Sequence, residues 1–321
     1  MNQQRLAPFV TALAVLSSLL MAGCRAPSQA DGEPNTISIS GAFALFPMVT
    51  VWADEYIQAY PDALFDIQAG GAGKGMTDVL AGAVDIAMLS REGREEELQR
   101  GAVLFPAAVD AVVPTINAGN PVLEDLLKTG LSMENGRLIW IDGQPITWGK
   151  LAGNDERRMI NVYTRSDSSG AGEVWSIYLG GASQEDLKGT AVNGDPGLAE
   201  AVRQDPLGMG FNNIAFAYDP ATGQQVDGIQ VLPLDINGDG QITPDEDFYA
   251  NRRDITAAIA TRVYPYPPAR LLYLVTKGTP SPAAADFLRW VLTEGQALSP
   301  AAGYVALDEA AIDQGLALLD E

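Results

Sequence analysis

The chain has 321 residues, with 20 Lys plus Arg against 41 Asp plus Glu, one Cys, no His and a formal charge of −21. That balance excludes non-specific nucleic-acid binding, which needs basic surface to neutralise phosphates. Without His there is no Ser-His-Asp or Cys-His catalysis, no His-ligated zinc and no imidazole base. One Cys excludes an intrachain disulfide framework and multi-Cys metal sites. With 47% apolar and 19% charged residues, the composition is that of a globular chain with a large core, in one large domain or two lobes.

Residues 1–23 read as a targeting segment. Arg5 precedes a moderately apolar stretch over 6–21, which Pro8, Thr11, Ser17 and Ser18 make a poor membrane span. Leu20-Met21-Ala22-Gly23 before Cys24 resembles the lipobox of bacterial lipoproteins, in which the Cys thiol is lipidated; the alternative is an ordinary signal peptide containing a Cys. Residues 24–35, polar and rich in Pro, Gly and Ala, read as a tether to a soluble domain. The expected location is extracytoplasmic, on the outer side of a cytoplasmic membrane or in a periplasm.

From Thr36 short apolar runs alternate with amphipathic ones. The pattern predicts strands over 37–40, 64–68, 84–89, 103–108 and 111–116. Helices fall between them over 47–60 (Pro47 in the first turn), 75–83 and 92–100. A second series follows: a strand over 159–164, helices over 172–179 and 196–203, and a strand over 209–211. A strand over 270–276 and a helix over 281–293 come last, while 122–158 has no readable period. Such alternation implies α/β architecture, a parallel or mixed sheet covered by helices.

Three strand ends run through small residues into a helix: Ser40-Gly41-Ala42-Phe43-Ala44-Leu45-Phe46-Pro47, Gln68-Ala69-Gly70-Gly71-Ala72-Gly73-Lys74-Gly75 and Arg165-Ser166-Asp167-Ser168-Ser169-Gly170-Ala171-Gly172. Each presents backbone N–H groups and a positive helix end at the carboxyl edge of a sheet, where ligands bind in open α/β folds. Gly73-Lys74-Gly75 is neither a Walker A loop nor G-x-G-x-x-G. Together the three loops form either an oxyanion cradle, with Arg165, Ser168 and Ser169 as donors, or ordinary tight βα connections.

These loops, with Val84-Asp85-Ile86-Ala87-Met88-Leu89-Ser90-Arg91-Glu92 and Arg270-Leu271-Leu272-Tyr273-Leu274-Val275-Thr276-Lys277-Gly278, resemble the substrate-binding proteins of phosphate ABC transporters, in order over the whole chain after the targeting segment. The resemblance implies a type II periplasmic-binding-protein fold. Lobe 1 would comprise 36–116 plus 263–321, lobe 2 would comprise 117–262, and ligand would bind between them. It further implies a phosphate site with the amides of Leu45 and Phe46 facing the ligand, Ala72 and Gly73 in the second loop ahead of a helix, and Arg165 as anchor with Asp167 orienting it. Ser169, Gly170 and Ala171 would be further donors, and Ser90 falls where many members have an aspartate. Hydroxyl residues common in the family at the positions of Leu45, Ala72 and Ala171 are absent. The implied function is capture of phosphate or a related oxyanion by a monomer that performs no chemistry and hands it to a membrane permease. The alternative is a family member without transport function, acting as a calcium-stabilised envelope or adhesion protein.

Asp235-Ile236-Asn237-Gly238-Asp239-Gly240-Gln241-Ile242-Thr243-Pro244-Asp245-Glu246 fits the calcium-loop pattern D-x-N-x-D-G-x5-E. Asp235, Asn237 and Asp239, the Gln241 carbonyl, Thr243 and a bidentate Glu246 are the expected oxygen ligands of a structural calcium ion. A solvated acidic turn is the alternative. The tryptophans at 52, 140, 148, 175 and 290 are expected in the core, and 264–268 in the return crossing between lobes. A calcium-assisted phosphate-ester hydrolase is a third possibility, disfavoured by the lack of a nucleophile–base pair.

Overall fold

The computed structural model describes residues 36–320; the lipobox, Cys24 and the tether lie outside the described residues. The strands are β1 Thr36–Gly41, β2 Leu64–Ala69, β3 Ile86–Leu89, β4 Ala102–Asn117, β5 Leu131–Ser132, β6 Asn161–Arg165, β7 Thr190–Val192, β8 Gly208–Asn213, β9 Ile229–Val231, β10 Leu234–Asp235 and β11 Ala269–Lys277. One mixed sheet runs β2-β1-β3-β11-β4-β8-β6-β7 with β9 also on β4, and β5 and β10 form a separate pair. The β1–β2, β1–β3, β6–β7 and β6–β8 pairs are parallel. Both long strands run against their neighbours, β11 against β3 and β4, and β4 against β8 and β9.

The strands predicted over 103–108 and 111–116 are one strand, β4. Asp110 interrupts the apolar run that sequence reading needs, but the structure satisfies it: Arg270 Nε donates to Asp110 Oδ1 at 2.9 Å, directly across the ladder. Pro106 lies at the register shift between Leu272 and Tyr273, where a missing N–H is tolerated.

Two sets of buried side chains lie along this sheet. One draws on Ile37 to Ala108 and Leu272 to Tyr304, the other on Ala111 to Ala269. The changeover therefore lies at the Asp110–Arg270 pair, earlier on β4 and later on β11 than the 116/117 and 262/263 boundaries expected from sequence. Four tryptophans (52, 140, 148 and 175) are fully buried and Trp290 nearly so.

The segment 122–158 becomes short pieces, Leu123–Thr129, Met133–Gly136, a π turn over Arg137–Ile141, and Trp148–Ala152. None is long enough to display a 3.6-residue period, and each is held by a buried anchor such as Leu126, Trp140 or Trp148. The helix predicted over 92–100 shrinks to Glu95–Gln99, where the Arg94 amide donates to Glu97 Oε2 at 2.9 Å. A final helix, Glu309–Asp320, was not predicted.

Candidate functional site

The loop after β2 enters its helix earlier than expected. The helix spans Ala72–Ala81 rather than 75–83, in spite of Gly73 and Gly75 inside it. Close approach explains those glycines. A Cβ on Gly75 would sit 2.6 Å from Gly41 Cα and 2.7 Å from the Ser40 carbonyl oxygen, and one on Gly73 would collide with the Ser168 side chain. The Gly73 amide donates to the Ser168 carbonyl at 3.2 Å.

The third loop enters the helix Gly170–Tyr178, whose N-cap Ser169 accepts from the Gly172 amide at 3.2 Å. Its first turn presses on the end of β3, since a Cβ on Gly170 would strike the Ser90 carbonyl and hydroxyl. Residues 71–90 and 167–170 are thus in contact. The N-termini of the Ala72–Ala81 and Gly170–Tyr178 helices meet there, and amides at such positions have no partner inside their own helices.

Arg165, at the end of β6, is the charged centre, its side chain 1% exposed. Its Nε and Nη2 donate to Asp167 Oδ1 and Oδ2 at 2.8 and 2.6 Å, and Nη1 donates to Asp195 Oδ2 at 2.5 Å. Phe43, from the loop after β1, lies over the guanidinium with its ring centroid 5.6 Å from Cζ.

Asp167 also accepts from the Gly194 amide at 2.9 Å. Burial opposes its ionisation, but the Arg165 hydrogen bonds and charge, together with that amide, hold its carboxyl below the usual range. Burial likewise disfavours charge on Arg165, and the Asp195 and Asp167 carboxylates reverse this and raise its pKa. One buried cation therefore faces two carboxylates.

The other expected donors are less available. The Leu45 and Phe46 amides both donate to the Ala42 carbonyl at 3.2 Å. The Ser169 amide donates to Gln184 Oε1 at 2.6 Å. Ala72 and Ala171 are buried in the first turns of their helices, and Ser90 is buried beside Gly170. Sequence reading missed Phe43, Asp195 and Gln184. The sole bulky residue in an otherwise small-residue stretch of loop marked Phe43, and an acid in the first turn of the Gly194–Gln204 helix marked Asp195.

In the 235–246 loop, Asp235 and Glu246 are buried. Asp235 Oδ1 accepts from the Gly238 and Asp239 amides, and Oδ2 from Gly240, at 2.8, 3.1 and 3.0 Å. Glu246 Oε1 accepts from the Ile236 and Asn237 amides, and Oε2 from Thr243. Gly240 adopts φ +80°, the turn that the motif asks of it, and Ile242 anchors the loop through its amide to the Lys128 carbonyl at 2.7 Å. Among the described residues, no group of three or more His, Cys, Asp or Glu side chains lies close enough to hold a metal ion. The oxygen types suit a hard cation, and the two buried carboxylates are turned to loop amides.

A PBP superfamily domain matches residues 26–294. The phosphate-binding protein PstS of Bacillus subtilis is 29% identical over 61% of this chain, a match spanning 63% of that protein. PstS of Methanocaldococcus jannaschii is 26% identical over 88% of this chain and 86% of its own. A Clostridium perfringens substrate-binding protein solved with bound phosphate superposes with TM-score 0.68 at 19% identity, covering 85% of this chain and all of its own. A Vibrio cholerae phosphate transport receptor gives 0.60 at 22% identity over 84% of this chain and all of its own. These structures share the type II periplasmic-binding-protein fold, and the substrate-binding proteins of the family are not enzymes. The chain belongs to the PBP superfamily, as a distant relative of the phosphate-binding proteins of ABC transport.

Proposed function

We propose that the protein is an extracytoplasmic, lipid-anchored binding protein that takes phosphate between its two halves and presents it to an ABC permease. The observation that carries this reading is the meeting of two helix N-termini with the buried Arg165, a combination of dipoles and charge suited to an oxyanion. Closure of such halves on a ligand is a hinge motion, and β4 and β11 are the strands on which it would turn. Membrane attachment would rest on Cys24; among the described residues no helix is long and apolar enough to cross a membrane. Calorimetry with phosphate, arsenate and sulfate tests the proposal. Phosphate should give saturable heat that Arg165→Ala abolishes, and no heat from any oxyanion would overturn it.

A second reading is favoured by the pairing of Arg165 with two carboxylates: a member of the family without transport function, serving as an envelope or adhesion protein. Loss of surface adhesion on deletion, with phosphate uptake unchanged, would favour it. With either reading we place a structural calcium ion in the 235–246 loop. The side chains of Asp235, Asn237, Asp239, Thr243 and Glu246 and the Gln241 carbonyl would hold it, and its charge would offset the repulsion among the loop's acids. Millimolar calcium should raise the melting temperature and a chelator reverse the gain; indifference to both would remove the ion from the account.

A further inference from the structure

The side chain that crosses from the first loop to the Arg165 pocket is Phe43. Its ring lies over the face of the guanidinium, 5.6 Å from Cζ. The ring tip rests on the start of the Gly194–Gln204 helix, where a Cβ on Gly194 would stand 3.0 Å from Phe43 Cζ. Gly194 has φ +72° and its amide donates to Asp167, so the surface beneath the ring is fixed backbone. Phe43 belongs to the 36–108 side of the molecule, while Arg165, Asp167 and Gly194 belong to the 111–269 side. The contact therefore joins the two sides.

The guanidinium edge is engaged as well, with Nε, Nη1 and Nη2 each donating to a carboxylate oxygen. Three of the five guanidinium N–H groups are taken, leaving one on Nη1 and one on Nη2; an anion that reaches them from the covered face must displace the ring, and one that takes an engaged edge must displace a carboxylate. The ring is much the easier to move. Its attraction to the cation is modest, whereas both carboxylates hold the guanidinium through charge-assisted hydrogen bonds, Asp195 from a fully buried position.

We propose that Phe43 is an aromatic latch: it covers Arg165, holds the two sides together, and sets the affinity and selectivity of the oxyanion site. The part concerning affinity rests on the oxyanion reading above; the part concerning the two sides does not. The ring acts against ligand by covering one face of the arginine, and it acts for closure by supplying a contact between the two sides that does not need an anion. A latch of this kind favours ligands that bring enough hydrogen-bond acceptors to repay removal of the ring, such as a tetrahedral oxyanion, over a single chloride.

Two measurements on the full chain, with Phe43→Ala and the bulk-preserving Phe43→Leu, test the latch. In calorimetry, Phe43→Ala should bind phosphate about tenfold more tightly than wild type, in keeping with loss of a partly desolvated cation–π contact, with Phe43→Leu between them. In small-angle scattering of protein dialysed free of phosphate, Phe43→Ala should be more expanded than wild type, and added phosphate should compact it again. Unchanged or weaker phosphate binding by Phe43→Ala overturns the affinity claim, and an unchanged scattering profile overturns the closure claim. If neither wild type nor variant binds any oxyanion, the oxyanion reading and the affinity claim fall together. Expansion of dialysed Phe43→Ala would then still support the closure claim. Retention of the wild-type melting profile in Phe43→Leu excludes misfolding as the cause of its behaviour.

Discussion

Arg165 carries one charge and meets two carboxylates, and neither acid is there by accident of surface. Asp195 is buried, accepts from Arg165 at 2.5 Å and from the Asn213 amide at 3.2 Å. Its neighbour Asn212 donates back to the Asp195 carbonyl. The second carboxylate fixes the guanidinium plane, and it also leaves the site with net negative charge, which opposes an anion. Asp195→Asn preserves shape and an oxygen acceptor while removing that charge. It should tighten phosphate binding by about tenfold, ~1.4 kcal/mol on the usual conversion, as read by calorimetry. Asp167→Asn should be less favourable, because it also replaces half of the bidentate grip on Arg165. Equal affinities in wild type and Asp195→Asn would mean that ligand does not sense this charge.

At the scale of elements, the long strands β4 and β11 are where the two sides share one ladder, and their buried ion pair marks the crossing. Asp110 and Arg270 are both almost fully buried, and Arg270 Nη2 also donates to the Asn213 side chain. Asn213 in turn donates its amide to Asp195. A hydrogen-bonded path thus leads from the crossing strands to Arg165. Arg270 Nη1 has no protein partner, so the pair is only partly compensated for leaving water. Removing one member should be costly: Asp110→Ala should lower unfolding stability in urea by about 3–5 kcal/mol, the range for stranding a buried charge. Replacing both by apolar residues of similar volume should recover most of that loss. A loss below about 1 kcal/mol in the single variant would show that solvent reaches the pair.

The same elements show what was legible in sequence. Alternation of apolar runs gave the α/β class and most strands within a residue or two, because period and length are local signals. The three strand-to-helix loops were legible through their small residues, and Arg165 through its place before one of them. Asp110 split β4 into two because its partner lies 160 positions away, and no local pattern contains such a pair. Asp195 and Phe43 were missed for the same reason. What brings them to the candidate site is where Arg165 sits, and only tertiary structure brings residues 43, 165 and 195 together. The Leu45 and Phe46 amides were expected to face ligand and Ser169 to be a further donor, but the first two amides find a partner in their own loop and the Ser169 amide finds one in Gln184.

For the molecule as a whole, the pH dependence of stability follows from which groups titrate differently in the folded state. There is no His in the chain, so nothing of imidazole type changes charge between pH 5 and 8. On the acid side, Asp167 is held below its ordinary range, as are Glu97, in spite of burial, by Arg91 and the Arg94 amide, and Asp78, likewise against desolvation, by Lys74 and Ser40. The unfolded chain takes up these protons first. Their contribution is therefore complete above an ordinary carboxylate pKa of about 4 and is lost as pH falls through the lower folded values.

On the alkaline side, burial raises the pKa of Tyr218, Tyr249, Tyr264 and Tyr304. Each stays protonated when folded at a pH where the unfolded chain would ionise. Their contribution is complete below about pH 10 and declines above it. Between these limits the residual slope comes from net charge: 41 acids against 20 bases repel one another, and salt screens that repulsion. Melting temperature should thus be nearly level from about pH 5.5 to 9, fall outside that window, and rise at pH 7 when salt goes from about 0.01 to 0.5 M, where the Debye length contracts severalfold. The salt effect should shrink near the isoelectric pH of 4.2, where net charge vanishes. A midpoint transition near pH 6.5 would contradict this account, since no residue in the chain has that ordinary pKa.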